Sequence, residues 1–358
     1  MTDIRWDRIL IVRLSAIGDV INALPALAIL RQNFPKSYIA WVVQDRAKDA
    51  VVNHPDLDEV FVFRRREWKP SLFDLKSILK ASRTVPDFIR NIRRKHFTVA
   101  LDFQGNLKSG VITYLSNAPQ RIGFAAPAIR EFNTLFTTTR ISLPKQCIHR
   151  RERGIYLLKT LGLKTDSYQV KFPISPADET YIEDFLSRLC IPHSAHNIRL
   201  VVFHPSTSRF GAYKRWGLNN YAELGNVLIN KYGVNLVITW GADERPMAEE
   251  VARLMRPKPI IDLETSTLGR LAALLKRTDL FIGSDSAPLQ LASILERPVV
   301  ALFGPKNPLI YGPTHEKSIV IRKELACSPC HKRTCPKPDC MNLITVEEVF
   351  SAASKLLG

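Results

Sequence analysis

Apolar residues fall in short runs separated by turn signals, and the runs alternate with stretches of helical spacing. Arg8-Ile9-Leu10-Ile11-Val12-Arg13 has the length and continuity of a strand buried on both faces. Ser15 to Asp19 reads as a turn, and Val20 to Asn33 carries helical spacing with Pro25 as a kink inside it. Strands are expected at Tyr38–Val43, Val60–Phe63 and Val99–Phe103, the last followed by Gln104-Gly105-Asn106 and a helix from Leu107. Periodicity fades from Ser167 to Asp178, around Pro173 and Pro176, which predicts a linker. A second series follows: strands at Leu200–Phe203, Leu236–Trp240, Asp279–Gly283 and Pro298–Phe303, then a closing amphipathic helix from Thr345 to Leu357. Strands alternating with helices imply parallel βαβ units. The predicted fold class is α/β, with two Rossmann-like doubly wound domains facing across a cleft. The expected boundaries are 1–170, a linker at 171–185, 186–344, and the helix at 345–358. Open parallel sheets bind ligands beyond the carboxyl ends of their strands, so the loops there are the places to look for chemistry.

Composition narrows the picture. A chain of 358 residues is comfortable for two domains, and 46% hydrophobic with 24% charged residues reads as globular. No apolar run approaches the ~18 residues of a membrane span. The first apolar segment is interrupted by Arg13 and Asp19 and has no small-residue cleavage site after it, so a cytoplasmic protein is expected. The net charge of +17 favours anionic partners: nucleic acid, phosphorylated molecules or an acidic membrane face. No Cys2His2 spacing and no RNA-recognition aromatic motif supports nucleic acid, which is set aside. Cys147 and Cys190 stand alone, whereas Cys327, Cys330, Cys335 and Cys340 cluster with His331 between them. That spacing suits a zinc ion, but it lacks the paired CxxC of a zinc ribbon. Reduced thiols packed under a loop are the competing reading.

Four groups of residues could carry chemistry. Asp19 stands where a helix begins. The helix N-terminus would keep its carboxylate ionised and able to accept a proton, while an ordinary cap is the structural alternative. Asp285-Ser286-Ala287-Pro288 opens an apolar helix whose free amides suit a diphosphate, with Ser or Asp also serving as a plain cap. Lys214-Arg215-Trp216 lies downstream of the exit loop His204-Pro205-Ser206-Thr207. Lys214 could neutralise a leaving phosphate and Trp216 could wall a pocket. Finally, Arg64, Arg65, Arg66, Lys69, Lys108, Arg130, Arg150, Arg151 and Arg153 form a basic string, fit for an anionic acceptor or simply a solvated face. The missing glycines of GxGxxG around Gly18 argue against a nicotinamide enzyme.

Taken in order, these segments resemble a known family. Ile9 to Val20 with Leu24-Pro25-Ala26-Leu27 is similar to the opening of the ADP-heptose:lipopolysaccharide heptosyltransferases, glycosyltransferase family 9. The likeness continues through Asp102 to Ser109, Lys214-Arg215-Trp216, Trp240 to Glu244, the Asp285 segment, Phe303-Gly304-Pro305 and the cysteine block. Arg64 to Lys69 resembles the heptosyltransferase I branch most. The resemblance implies a GT-B fold, with the acceptor on the N-terminal domain, the nucleotide sugar on the C-terminal one, and inversion at the anomeric carbon. It makes Asp19 the catalytic base and puts Lys214 beside the donor phosphates. Ser206, Thr207, Asp285, Ser286, Ala287 and Gln290 would line the donor site. Glu244 falls within one residue of an acid that contacts the ribose. Arg64, Arg66, Lys69, Lys108, Arg130 and Arg153 belong on the acceptor side. An ADP-sugar is the implied donor substrate, an anionic glycolipid at the cytoplasmic face of the inner membrane the implied acceptor, and no cofactor is called for. Two departures stand out: Ala287 where the family has glycine, and Gln290 where it has histidine. Alanine at a position needing positive φ would cost about 1 kcal/mol and pull an amide off the phosphate. Another nucleotide-sugar enzyme of the same fold, such as an epimerase, or a non-catalytic glycan-binding protein are the alternatives.

Overall fold

The computed structural model describes residues 4–64, 75–129, 131–144, 149–189, 199–330, 332 and 334–358, with backbone alone for 75–81. Arg65, Arg66, Trp68, Lys69, Arg130, Cys147, Cys190 and His331 lie outside the described residues. The chain divides into two compact units, Met1–Pro173 and Ile174–Gly358.

Unit 1 is built on β1 (Arg8–Val12), β2 (Tyr38–Gln44), β3 (Glu59–Phe63), β4 (Val99–Asp102), β5 (Gln120–Phe124) and β6 (Thr139–Ile141). They form one sheet in the order β3-β2-β1-β4-β5-β6, every pair parallel. Its helices are α1 (Ile17–Ile21), α2 (Leu24–Asn33), α3 (Leu75–Arg93), α4 (Leu107–Leu115) and α5 (Arg150–Thr160). Central strands of a parallel sheet are covered on both faces, which is why Ile9 to Val12 and Val99 to Leu101 are apolar without alternation and fully buried. The single helix expected from Val20 to Asn33 is two. The first starts at Ile17, the break comes at Asn22 and Ala23, and Pro25 sits harmlessly in the first turn of α2.

Unit 2 carries β7 (Leu200–His204), β8 (Asn235–Ile238), β9 (Leu280–Ser284), β10 (Val299–Phe303) and β11 (Ser318–Arg322), all parallel in the order β11-β10-β9-β7-β8. Around them lie α6 (Pro176–Arg188), α7 (Leu218–Tyr232), α8 (Arg245–Leu254), α9 (Leu268–Lys276), α10 (Ala287–Ile294), α11 (Pro308–Tyr311), α12 (Asp339–Asn342) and α13 (Val346–Leu357). Much of the stretch read as a linker, 171–185, is helix: Ser175 caps α6 by accepting from the Asp178 N–H, and Ile182 and Leu186 are buried. Because the strands are parallel, the carboxyl ends of β1, β3 and β4 share one edge of the first sheet. Those of β7, β8 and β9 share one edge of the second. The strand order reverses between β1 and β4 in unit 1 and between β7 and β9 in unit 2, the positions where crevices open in such sheets.

Candidate active site

In unit 1 the loop leaving β1 is held by its neighbour across the reversal. Gln104, just past β4, accepts from the N–H groups of Leu14 and Ser15 through Oε1, at 3.1 and 3.3 Å. Asp19 lies in the first turn of α1 and accepts from the Ala16 N–H at 3.4 Å. Its other oxygen pairs with Arg13 Nη2 at 3.0 Å, the arginine side chain being 7% exposed and the aspartate 27%. Arg13 also donates to the Phe103 carbonyl at 2.6 Å. Burial pulls the Arg13 pKa down, and the charge of Asp19 works against that. Arg150 and Arg153, from the first turn of α5, line the same depression as Arg13 and Asp19. An acidic group thus stands among three cations in a recess of mixed polar and apolar lining, which can receive an anionic ligand and take a proton from it.

Asp102 ends β4, fully buried, one residue before Phe103, which lines the recess. It accepts from the Gln104 and Gly105 N–H groups, Ser109 Oγ and Asn133 Nδ2, all within 3.0 Å. Burial pushes its carboxyl pKa up, and these donors oppose the shift. Asp102, with Ser109 and Asn133 on Asn106, holds the loop that carries Gln104. Lys108 is exposed on α4 and Arg64 is exposed at the end of β3; neither lines the recess around Asp19.

In unit 2, Lys214 ends a 3₁₀ turn, Arg209–Lys214, and donates to Asp285 Oδ2 at 2.6 Å. Both side chains are largely buried, at 19% and 13% exposure, so this is a positioned pair rather than a surface ion pair. Ser286 is the N-cap of α10 but makes no capping hydrogen bond with its side chain. Pro288 has no N–H, so the amides of Ala287 and Leu289 are the donors this helix start offers. Ala287 is the first helical residue and its φ is not positive. The strain expected from alanine in place of glycine is therefore absent, and with it the main reason to favour a non-catalytic protein. Gln290 is buried and donates through Nε2 to the Tyr311 carbonyl at 2.6 Å, tying α10 to α11.

The ends of β7 and β8 meet in a buried polar cluster. Glu244 Oε2 accepts from Ser206 Oγ at 2.5 Å and the Gly241 N–H at 3.1 Å, and stands 3.5 Å from His204 Nε2. His204 Nδ1 faces Thr239 Oγ1 at 3.0 Å. Burial alone would raise the Glu244 pKa, but His204, Ser206 and the Gly241 amide together hold it down to about 2. Thr207 is buried, and Arg215 clamps it by donating to its Oγ1 and its carbonyl. Trp216 does not wall a pocket. It is 1% exposed, donates to the Ile344 carbonyl and stacks edge-on against Tyr221 in the core of unit 2.

Cys327 and Cys335 are exposed and Cys340 is buried. Burial, then the neighbouring thiols, push the Cys340 thiol up. The segment is anchored to the end of β10 by Ser328 Oγ on the Gly304 carbonyl and by the Cys330 N–H on the Pro305 carbonyl. Among the described residues no set of three or more His, Cys, Asp or Glu is arranged to hold a metal ion. Nor is any described helix long and apolar enough to cross a membrane.

Arg13 was not singled out as a candidate, and Arg215, within the Lys214 segment, was given no role of its own. Their signal in the sequence was an arginine closing an apolar strand and one beside a candidate lysine, neither distinctive alone.

The profile of glycosyltransferase family 9 (heptosyltransferase) matches residues 85–341. The chain is 28% identical over 320 residues to lipopolysaccharide heptosyltransferase 1 of Escherichia coli, covering 88% of this chain and 93% of that one. It is 23% identical over 313 residues to the lipopolysaccharide core heptosyltransferase OpsX of Haemophilus influenzae, covering 87% and 83%. Among solved structures it is similar to a family 9 glycosyl transferase from Veillonella parvula, with TM-score 0.79, 24% identity and 99% and 98% coverage. It is also similar to the E. coli heptosyltransferase WaaC with ADP, with TM-score 0.75, 23% identity and 98% and 99% coverage. These likenesses run through the whole chain and show the fold, two doubly wound α/β units of the GT-B class.

Proposed function

The chain belongs to glycosyltransferase family 9, and on that premise we propose that it moves a heptose from ADP-heptose to the Kdo/heptose inner core of lipopolysaccharide, with inversion. The observation that carries this reading is the largely buried Lys214–Asp285 pair beside the first amides of α10, at the strand reversal of unit 2. A cation fixed next to a helix N-terminus suits a diphosphate, since both stabilise the charge that develops as the leaving group departs. Asp285 would hold Lys214 in place, and Glu244 Oε1 would take a ribose hydroxyl, its Oε2 being engaged by Ser206 and Gly241.

The acceptor would be bound by unit 1, with Arg153 and Arg150 on its carboxylates or phosphates; Arg64, Arg66, Lys69, Lys108 and Arg130 are assigned to the same side. The Asp19 carboxylate would take the proton of the attacking hydroxyl. The hydroxyl oxygen forms the new bond to the anomeric carbon, the old bond to the diphosphate breaks, and ADP leaves with its electron pair. Arg13 would keep Asp19 aligned for that transfer. No cofactor is assigned. Donor and acceptor would meet at the cytoplasmic face of the inner membrane, with the protein peripherally bound.

Thermal unfolding with ADP, UDP and GDP tests the donor. ADP at 100 times its dissociation constant should add about 2.7 kcal/mol, with the effect lost in Lys214→Ala. Stabilisation by UDP or GDP and not by ADP would overturn the ADP-heptose reading and leave the fold untouched.

A further inference from the structure

Unit 1 holds a second cavity, distinct from the recess around Asp19. It lies among β3, α3 and α4 and encloses about 280 Å³. That is near the lower end of the roughly 300–1,000 Å³ of small-ligand sites. Its wall is apolar, from Phe63, Phe88, Ile89, Val111 and Leu115 among others, and among the described residues Lys108 is the one charged residue in it. Lys108 is exposed. A pocket to which the described residues bring no polar group besides Lys108 does not suit a sugar or a nucleotide, which need hydrogen bonds. It suits a hydrocarbon chain whose anionic head stays at the mouth.

The surface beside the pocket is apolar too. Leu107, which lines the cavity, is 44% exposed, and Tyr114 on the same helix is 54% exposed. Next to them the segment 131–136 packs on α4: Glu131 accepts from the Leu107 N–H, and Phe136 lies 6.2 Å from Tyr114, ring to ring. From this segment Phe132 and Leu135 project at 79% and 74% exposure. Glu131 and Phe132 are both in the left-handed region, at φ 59° and 56°, a conformation that disfavours side-chain-bearing residues. The effect of that turn is to point Phe132 outward while Asn133, the next residue, is buried on Asp102. Large exposed apolar side chains held at such a cost mark a contact surface.

The cations on these elements decide what is contacted. Arg93 donates to the Leu115 carbonyl, Arg140 donates to the Thr134 carbonyl, and Arg121 lies over the Tyr114 ring. Together with Lys108 they put positive charge around an apolar centre, the arrangement that binds an acidic bilayer. We propose that this face of unit 1 docks on an anionic lipid surface, with Phe132 and Leu135 inserted and one lipid acyl chain entering the α3–α4 cavity. This deepens the membrane association proposed above and rests on the reading of the acceptor as a glycolipid.

The test uses the full chain with vesicles of phosphatidylglycerol and phosphatidylcholine, and vesicles of phosphatidylcholine alone. A trace phosphatidylglycerol carrying a diazirine on its acyl chain is included. Wild type should sediment with the acidic vesicles, more weakly in high salt, and photolabelling should mark the peptides of α3 and α4. Phe132→Ser with Leu135→Ser should weaken vesicle binding by about tenfold or more, since two exposed apolar side chains no longer insert. Val111→Phe fills the cavity and should abolish the label in α3 and α4; if it does not fold, the exposed double variant decides. The proposal falls if the double variant binds vesicles as wild type does, if the label lands elsewhere, or if no vesicle binding occurs. It also falls if the double substitution turns a dimer into a monomer, since the face would then join two copies of the chain. ADP stabilisation and transfer to an acyl-free Kdo acceptor are measured in the same preparations and should not change. Their absence in wild type would sink the enzyme reading, whereas the vesicle result bears on the lipid face.

Discussion

Replacing Asp19 by asparagine separates two roles of one carboxylate. Asp19 is the third residue of α1, whose N-cap is Ala16, and an asparagine oxygen there can still accept from the Ala16 N–H, so its part in the helix start alone predicts little loss of stability. The pair with Arg13 changes that expectation, since the substitution leaves a buried guanidinium without its counter-charge. Losing one partner of a buried pair costs several kcal/mol, and the partial exposure of Asp19 lowers this to about 1–3 kcal/mol. As the general base it should also slow transfer by about 10²–10⁴ with ADP stabilisation intact. Near-normal turnover of Asp19→Asn at saturating substrates would return the residue to a structural role. Glu244 gives a pH signature. Its pKa is about 2 in the folded chain, below the ordinary 4.5, so its stabilisation is full above pH 4.5 and is lost as pH falls through 2. The size is about 3 kcal/mol. Glu244→Gln should flatten the acid limb of the stability curve over that window, measured by denaturant unfolding from pH 5 to pH 2. An unchanged limb would show that the cluster does not hold the carboxylate down. The residue types of Asp19, Lys214 and Asp285 were legible because each follows an apolar strand or opens a helix. Their partners were not, since Lys214 and Asp285 lie 71 positions apart and only the sheet order brings them to 2.6 Å.

At the scale of elements, α4 and the 133–136 turn show how a close approach overrules propensity. Gly110 is inside α4, where alanine would ordinarily stabilise the helix by about 0.5–1 kcal/mol. A Cβ there would stand 2.6 Å from a Phe136 ring carbon and 2.8 Å from Asn133 Nδ2. Asn133 is the residue that donates to Asp102, so the turn cannot retreat without undoing that contact. Gly110→Ala should therefore destabilise unit 1 by about 1–3 kcal/mol, as overpacking does. Chemical unfolding would show the loss; a gain in stability would mean the turn moves freely. Elements differed in how well they could be read. The interior strands β1, β7, β9 and β10 are apolar at nearly every position. β5, β6 and β11 were missed, because strands such as Thr139–Ile141, with two exposed residues of three, carry no run to detect. Helix starts were displaced where a cap was a backbone matter: Ala16 precedes α1 without a side-chain cap.

For the whole molecule, the alternation of strand and helix was enough to give two parallel sheets, and the net charge of +17 pointed to anionic partners before any site was located. Strand order within the sheets was beyond that reading, because apolar runs say that a strand is interior and not which neighbours it has. The order has a consequence in time. β1 is made first among the strands but is completed by β4, with Ile9 opposite Val99; β7 likewise waits for β9, with Val201 opposite Leu280. At about 5–20 residues per second, β1 spends roughly 5–20 s of synthesis with its β4-facing edge open. Ile9-Leu10-Ile11-Val12 is among the most apolar segments of the chain, and an open apolar edge pairs with whatever strand it meets. A fragment ending at Phe97, short of β4, should aggregate and bind a hydrophobic dye, whereas one running to Pro173 should do neither; light scattering separates the two. The nascent chain would then need protection until Asp102 has been made, and a pause in translation before that point would be harmful.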